Sequence, residues 1–248
     1  MSRRVRSALL IPGLAAILGV LLWGYTGLPS FGATISSYGQ FIDTVAASQR
    51  HVTNLVSAVM FDYRGVDTLI EEFILFASAM GVALLLRSSR EVAEQRPRDV
   101  VTSDAVRTAG SALAPVMLLF GLWIIAFGYV TPGGGFQGGV AASAGALLLW
   151  LAGSYRTLRD LSPPFLVDAA EGLGAASYVG IGMLGLAAGS PFLSNTIPLG
   201  TAGTLASGGT IAALNWVAGI EVAAAFVLIY HEFLKEYIQT FSYTKAEL

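Results

Sequence analysis

The residues with the clearest chemical potential in this chain are acids placed inside long apolar stretches. Glu221 lies in the middle of ALNWVAGIEVAAAFVLIYHE, and Glu171 and the pair Glu71/Glu72 occupy two further apolar segments. A carboxylate within a membrane span costs several kcal/mol unless it is paired, hydrated or protonated, so each is a functional-site candidate. The acids also sort by expected depth. Asp67, Glu71 and Glu72 fall towards one end of their span, Glu221 near the centre of its own, and Glu171 and Glu232 towards the opposite side. A relay for protons or Na⁺ needs that order, because each carboxylate accepts a cation or proton and passes it on.

Two local patterns surround these acids. Phe61-Asp62-Tyr63-Arg64-Gly65-Val66-Asp67-Thr68 precedes Leu69, Ile70, Glu71 and Glu72. At helical spacing Asp67 and Glu71 share a face, with Thr68 and Glu72 on the adjoining one. N-capping and the helix dipole account for Asp67, less well for the deeper Glu72, and Arg64 is the expected charge partner for one of these acids. The second pattern is Thr131-Pro132-Gly133-Gly134-Gly135-Phe136-Gln137-Gly138-Gly139. Pro132 should end the preceding helix, and the glycines permit a tight turn. Gly135, Gly139 and Ser143, four apart, give the next helix a small-residue packing face. A phosphate-cradling loop would need a P-loop lysine or Ser/Thr and a flanking strand, and none is present. A direct part for this backbone in an ion or water path is the other functional option. In the fifth apolar stretch Asp168 follows Pro163-Pro164 and reads as an interfacial cap. Glu171, one turn deeper, is followed by Gly172 and Gly174, which leave room for water or a neighbouring helix. His231 and Glu232 read as interfacial charges whose stems snorkel.

The elements that must position these groups are membrane spans. Of 248 residues, 54% are hydrophobic and 12% charged, with mean hydropathy +0.67, against about 25% charged in soluble domains. The expected fold is an all-α integral membrane protein with about six spans, near 7–27, 67–87, 108–130, 134–152, 165–189 and 209–231, each about the 20 residues a bilayer requires. The N-terminal run at 8–25 follows three arginines, as in a signal peptide, but it is long enough to span and reads as an uncleaved anchor. With the N-terminus inside, all but Arg50 and Arg64 of the 14 Lys and Arg residues fall on the cytoplasmic side, so both termini are expected to be cytoplasmic.

Segment 41–60, in the outer loop, has apolar residues at helical spacing and reads as an amphipathic helix on the membrane surface. The polar stretch 88–106 is the natural boundary between a two-span front part and a four-span rear part, and 190–208 reads as an irregular loop. The absence of cysteine excludes disulfides, zinc–cysteine sites and iron–sulfur ligation by this chain. A net charge of −2 gives no basic excess for nucleic acid. No cofactor and no metal site is expected beyond transported Na⁺ or H⁺. No nucleophile–histidine–acid set is present, so the chain is not expected to be an enzyme on its own.

The segment FDYRGVDTLIEEFILFASAMGVALLLR (61–87) resembles the D-F-R-G-F-D-T-L-G-E pattern of the large A-type chain of Mrp-type multisubunit Na⁺/H⁺ antiporters, shared by the E-type chain of membrane-bound hydrogenases. The segment LFGLWIIAFGYVTPGGGFQGGVAASAGALL (119–148) resembles the P-G-G-G-F-Q-G-G signature of the MnhB/MrpB family. The resemblance implies an E-like module at 1–95, a cytoplasmic linker at 96–107 and an MnhB/MrpB-like module at 108–248. It places Asp62, Arg64, Asp67 and Glu72 on the first motif, with Glu71 as an extra acid, and Pro132 to Gly139 on the second. Tyr63 and Val66 stand where the pattern has phenylalanine. Glu171 and Glu221 rest on the depth argument alone.

The first expectation is therefore an accessory subunit of an Mrp-type cation/proton antiporter in the cell's inner (plasma) membrane. Its partners would be other membrane subunits, antiporter-like ones among them, together with the lipid bilayer and no nucleic acid. The alternatives are the same module in a redox-driven complex such as a membrane-bound hydrogenase, and a structural scaffold that moves no ion.

Overall fold

In the computed structural model, residues 3–28, 30, 37–88, 101, 103–153 and 155–246 are described, and all regular elements among them are helical. They are α1 (Arg3–Thr26), α2 (Ser37–Arg50), α3 (Leu55–Ala58), which runs into a π-helical turn (Val59–Tyr63), and α4 (Gly65–Ser88). Then follow α5 (Asp104–Phe127), α6 (Gly135–Ala152), α7 (Tyr155–Leu161), α8 (Pro164–Ala187) and α9 (Thr210–Ala246).

The chain divides into two compact units, residues 1–41 and 42–248. In the first, every described side chain of α1 from Ile11 to Thr26 is exposed, including Leu14, Leu18, Leu22 and Trp23, as suits a helix whose surroundings are lipid or another protein chain. Six full spans were expected. Five helices, α4, α5, α6, α8 and α9, are long and apolar enough to cross a membrane, and α1 adds a shorter apolar stretch, Ile11–Thr26.

The second unit is built around α9, which packs against α4, α6 and α8, while α5 lies along α6. Within the apolar stretch of α9, 61% of residues are buried, against 17–33% in the other spans. That centrality follows from small residues, because Gly219, Ala218, Ala224 and Ala225 let neighbouring backbones close in. A Cβ on Gly139 of α6 would lie 2.7 Å from the Gly219 carbonyl oxygen and 2.9 Å from Val222 Cβ. The helix then runs 37 residues, about 55 Å at 1.5 Å per residue, well past the expected end at 231.

Two expectations need correction. Segment 41–60 is not one surface helix. It breaks at His51, whose φ is +51°, and Val52, Ala58 and Phe61 are buried in a core cluster with Tyr129, Tyr178 and Leu214. The third span ends at Phe127, not at Pro132, because its following carbonyls are drawn out of the helix by side chains described below. The linker expected at 96–107 falls largely outside the described residues, as do Arg90, Arg96 and Arg98, and α5 begins already at Asp104 behind a Ser103 cap. Segment 190–208 is irregular as expected, with one isolated bridge between Gly200 and Ser207.

Candidate functional site

Each half of the site grows from one motif. In the first, the Arg64 amide donates to the Val59 carbonyl, 2.8 Å away and five residues back, which closes the π turn. Such turns occur often at functional sites. The turn aims Asp62 at Arg50, whose Nε lies 2.7 Å from Oδ1. Arg64 pairs with Asp67 as expected. α4 starts at Gly65, whose carbonyl accepts from the Tyr178 hydroxyl at 3.1 Å. Asp67 and Glu71 then face outward, while Thr68 and Glu72 turn inward, 3% and 2% exposed. Counted without a gap, the last acid of the family pattern falls on exposed Glu71, and buried Glu72 is the neighbour beyond it.

In the second motif, two asparagines that the spacing of the motifs does not single out hold the turn. Asn54 Nδ2 donates to the carbonyls of Gly128 (2.6 Å) and Thr131 (3.1 Å), and Ser57 Oγ donates to Gly128 as well. These bonds satisfy carbonyls at the end of α5, which is why that helix stops before the proline. Gly133, with φ +146°, turns the chain back into α6. At the start of α6 the Gly135 amide donates to Asn215 Oδ1 at 2.8 Å, and Asn215 Nδ2 donates to the Ile125 carbonyl at 2.6 Å. Asn215 is fully buried and so ties α9 to both α5 and α6. A lone amide in an apolar span was the available signal. The packing-face expectation holds for Gly135 and Gly139, both set against α9, while Gly138 faces Gly121 and Ile125 of α5.

The two motifs meet. Thr68, Glu71 and Glu72 of α4 share a cavity of about 550 Å³ with Ser57, Phe61 and residues 133–137. Beyond it the carboxyls continue inward. Glu72 is within electrostatic reach of Glu221, Glu221 of Glu171, and Glu171 of Asp168 and Arg87. Glu171 and Glu221 are fully buried. Among the described residues, neither oxygen of Glu171 or Glu221 has a hydrogen-bond partner, nor has Glu72 Oε2. A buried carboxyl left in that state is costly, so each needs a proton, a cation or water. Gly174 makes room for Glu221, since a Cβ there would lie 2.6 Å from Glu221 Cβ, whereas one on Gly172 would meet nothing within 4 Å.

At the far end the chain of acids closes on a cation. Arg87 Nη2 lies 3.0 Å from Asp168 Oδ1, and its Nε lies 3.2 Å from Glu232 Oε1, which also meets Lys235 at 3.3 Å. Glu232 and His231 are therefore not snorkelling groups but fully buried ones, 0% and 1% exposed. His231 Nε2 contacts the hydroxyl and carbonyl of Ser162 at 3.0 and 2.9 Å. In the sequence Arg87 read only as a marker of sidedness, since nothing local ties it to α8 or α9.

Five apolar spans gathered about the most buried of them, α9, with buried carboxyls that lack partners among the described residues, define a multi-pass membrane protein of the kind that works within a larger assembly. Residues 105–228, half of the chain, match the family described as a domain related to the MnhB subunit of Na⁺/H⁺ antiporter. The chain belongs to that family. It is 36% identical over 104 residues to the B subunit of the Na⁺/H⁺ antiporter of Bacillus subtilis (strain 168), which covers 42% of this chain and 68% of that protein. It is 32% identical over 205 residues to the probable A/B subunit of the K⁺/H⁺ antiporter of Rhizobium meliloti (strain 1021), covering 70% of this chain but only 20% of that much longer protein. Among solved structures it superposes with TM-score 0.72 and 30% identity on a chain of the membrane-bound sulfane sulfur reductase, an archaeal respiratory membrane complex, covering 93% of this chain and 98% of that one. The fold also occurs in the Mrp complex from Dietzia sp. DQ12-45-1b, with TM-score 0.70, 23% identity, and coverage of 94% of this chain and 26% of that one.

Proposed function

We propose that the chain is a non-catalytic membrane subunit of an Mrp-type cation/proton antiporter and supplies part of the path by which protons or Na⁺ cross. In a prokaryotic cell this assigns it to the plasma membrane, with both termini on the cytoplasmic side. The observation that carries the reading is the series Glu72, Glu221, Glu171: among the described residues Oε2 of Glu72 and both oxygens of Glu221 and Glu171 have no hydrogen-bond partner, and each carboxyl lies within electrostatic reach of the next. Glu72 takes up the ion from the cavity, Glu221 holds it mid-membrane, and Glu171 passes it towards Asp168, whose charge Arg87 balances. Asp62, Arg64 and Asp67 order the entry turn.

The test uses vesicles that carry the reconstituted complex and a pH-sensitive dye. Replacing Glu72 and Glu171 together by Gln in a fully assembled complex should slow cation-driven proton movement at least tenfold. Wild-type rates in that variant would refute the path.

A second reading has support of its own. The 30% identical match that spans 98% of a chain in the sulfane sulfur reductase complex favours the same module inside a redox-driven machine. Co-purification with iron–sulfur or flavin-bearing subunits would select it over the antiporter.

A further inference from the structure

The cavity between the two motifs is larger than a metal cation needs and differently lined. Its volume of about 550 Å³ lies in the range typical of small-molecule sites, about 300–1,000 Å³. Met60, Phe61, Ile74, Leu75 and Phe136 supply apolar wall. Two carboxyls line the cavity: Glu71, exposed and open to solvent, and Glu72, set into the wall and 2% exposed, with Oε2 unpartnered among the described residues. Thr68, beside it, donates its hydroxyl to the Met60 carbonyl at 2.7 Å and not to Glu72 Oε2. A bare Na⁺ or K⁺ would neutralise Glu72 but leave the rest of the volume as water against apolar walls. An organic monocation does both jobs. Its ammonium or guanidinium head pairs with Glu72 and donates hydrogen bonds to it, and its apolar or aromatic body fills the space against Phe61 and Phe136, where ring faces also attract the cation.

We infer that the cavity between α4 and the 133–137 turn is a binding site for lipophilic organic monocations, with Glu72 as the counter-ion. Ile74 and Phe136, both exposed, 61% and 45%, form its mouth. The site opens at the outer surface of this chain, where a membrane-partitioned amphiphile arrives from the side. The inference stands apart from the ion path, since it is read by equilibrium binding and not by transport.

The experiment measures binding of 2-naphthylmethylammonium to the purified whole complex in nanodiscs by isothermal titration, with empty nanodiscs as the partition background. Its neutral isostere, 2-naphthylmethanol, is the comparison. The cation should bind saturably, one per copy of this chain, and at least tenfold more tightly than the alcohol. Glu72→Gln, in complex shown by subunit recovery to be assembled, should erase that preference. Ile74→Trp, which fills the mouth and keeps the charge, should abolish binding of both compounds. No saturable binding to the wild-type complex, equal affinity for cation and alcohol, or full binding in Glu72→Gln or Ile74→Trp would each overturn the assignment.

Discussion

Gly174→Ala puts the smallest possible side chain at the point where α8 meets the central carboxyl. The added carbon would lie 2.6 Å from Glu221 Cβ, 3.1 Å from its Cα and 3.2 Å from its Cγ. Carbon atoms in contact sit at about 3.5–4.0 Å, so α8 and α9 must separate by about 1 Å or the Glu221 side chain must leave its place. Overpacking of this kind costs about 1–3 kcal/mol, and in a chain of this size each kcal/mol lowers the melting temperature by about 2–4 °C. The matched control is Gly172→Ala, two residues away on the same helix, where the new carbon meets nothing within 4 Å. Alanine there should be neutral or add up to about 1 kcal/mol through helix propensity. Thermal denaturation of the complex and ion transport in vesicles should therefore both separate the two variants: Gly174→Ala less stable and impaired, Gly172→Ala close to wild type. Equal stability and equal transport in the pair would show that the close approach at Glu221 does not exist.

Asn215→Leu removes a fully buried amide and strands the Gly135 amide, at about 1–3 kcal/mol for the group left unpaired, while the Ile125 carbonyl keeps the Gly128 amide at 3.2 Å; a lower melting temperature and faster proteolysis of the 128–134 turn should report it. Arg87→Gln takes one cation from buried Glu232, which still meets Lys235, and costs about 1–3 kcal/mol because Arg87 is itself 40% exposed. Adding Glu232→Gln to it should restore stability, and a double variant no better than the single one would deny the coupling. For orientation, a cysteine at Gln95 should resist an impermeant thiol reagent added from outside while one at Gln40 reacts, and the reverse pattern would invert the topology.

The spans were legible because each is a long apolar run: α4, α5, α6 and α8 fall within a few residues of the stretches expected, and α9 starts where expected but runs on to Ala246. The packing face at Gly135 and Gly139 was legible for the same reason, since small residues four apart mark one helix side. What the sequence concealed is contact between distant segments. Nothing near Asn54 or Arg50 announces that the first reaches 74 residues forward to Gly128 or that the second holds Asp62. The 41–60 stretch has helical spacing, yet the break at His51 and the burial of Val52 and Phe61 are set by the core it joins. The acids could be ranked by depth from the sequence, but only packing reveals that Glu72, Glu171 and Glu221 are all buried and that each lies within electrostatic reach of another. Glu232 was misjudged because its partner Arg87 lies 145 residues away.

The most direct test of the central claim is cation-coupled proton movement in vesicles carrying fully assembled Glu221→Gln complex. The amide keeps the shape and a hydrogen-bonding head but cannot take up or release a proton. If Glu221 relays the ion between Glu72 and Glu171, transport falls at least tenfold while subunit recovery and melting temperature stay at wild-type values. If Glu221 is a permanently protonated packing group, the amide replaces it and transport stays at the wild-type rate, which would contradict the account.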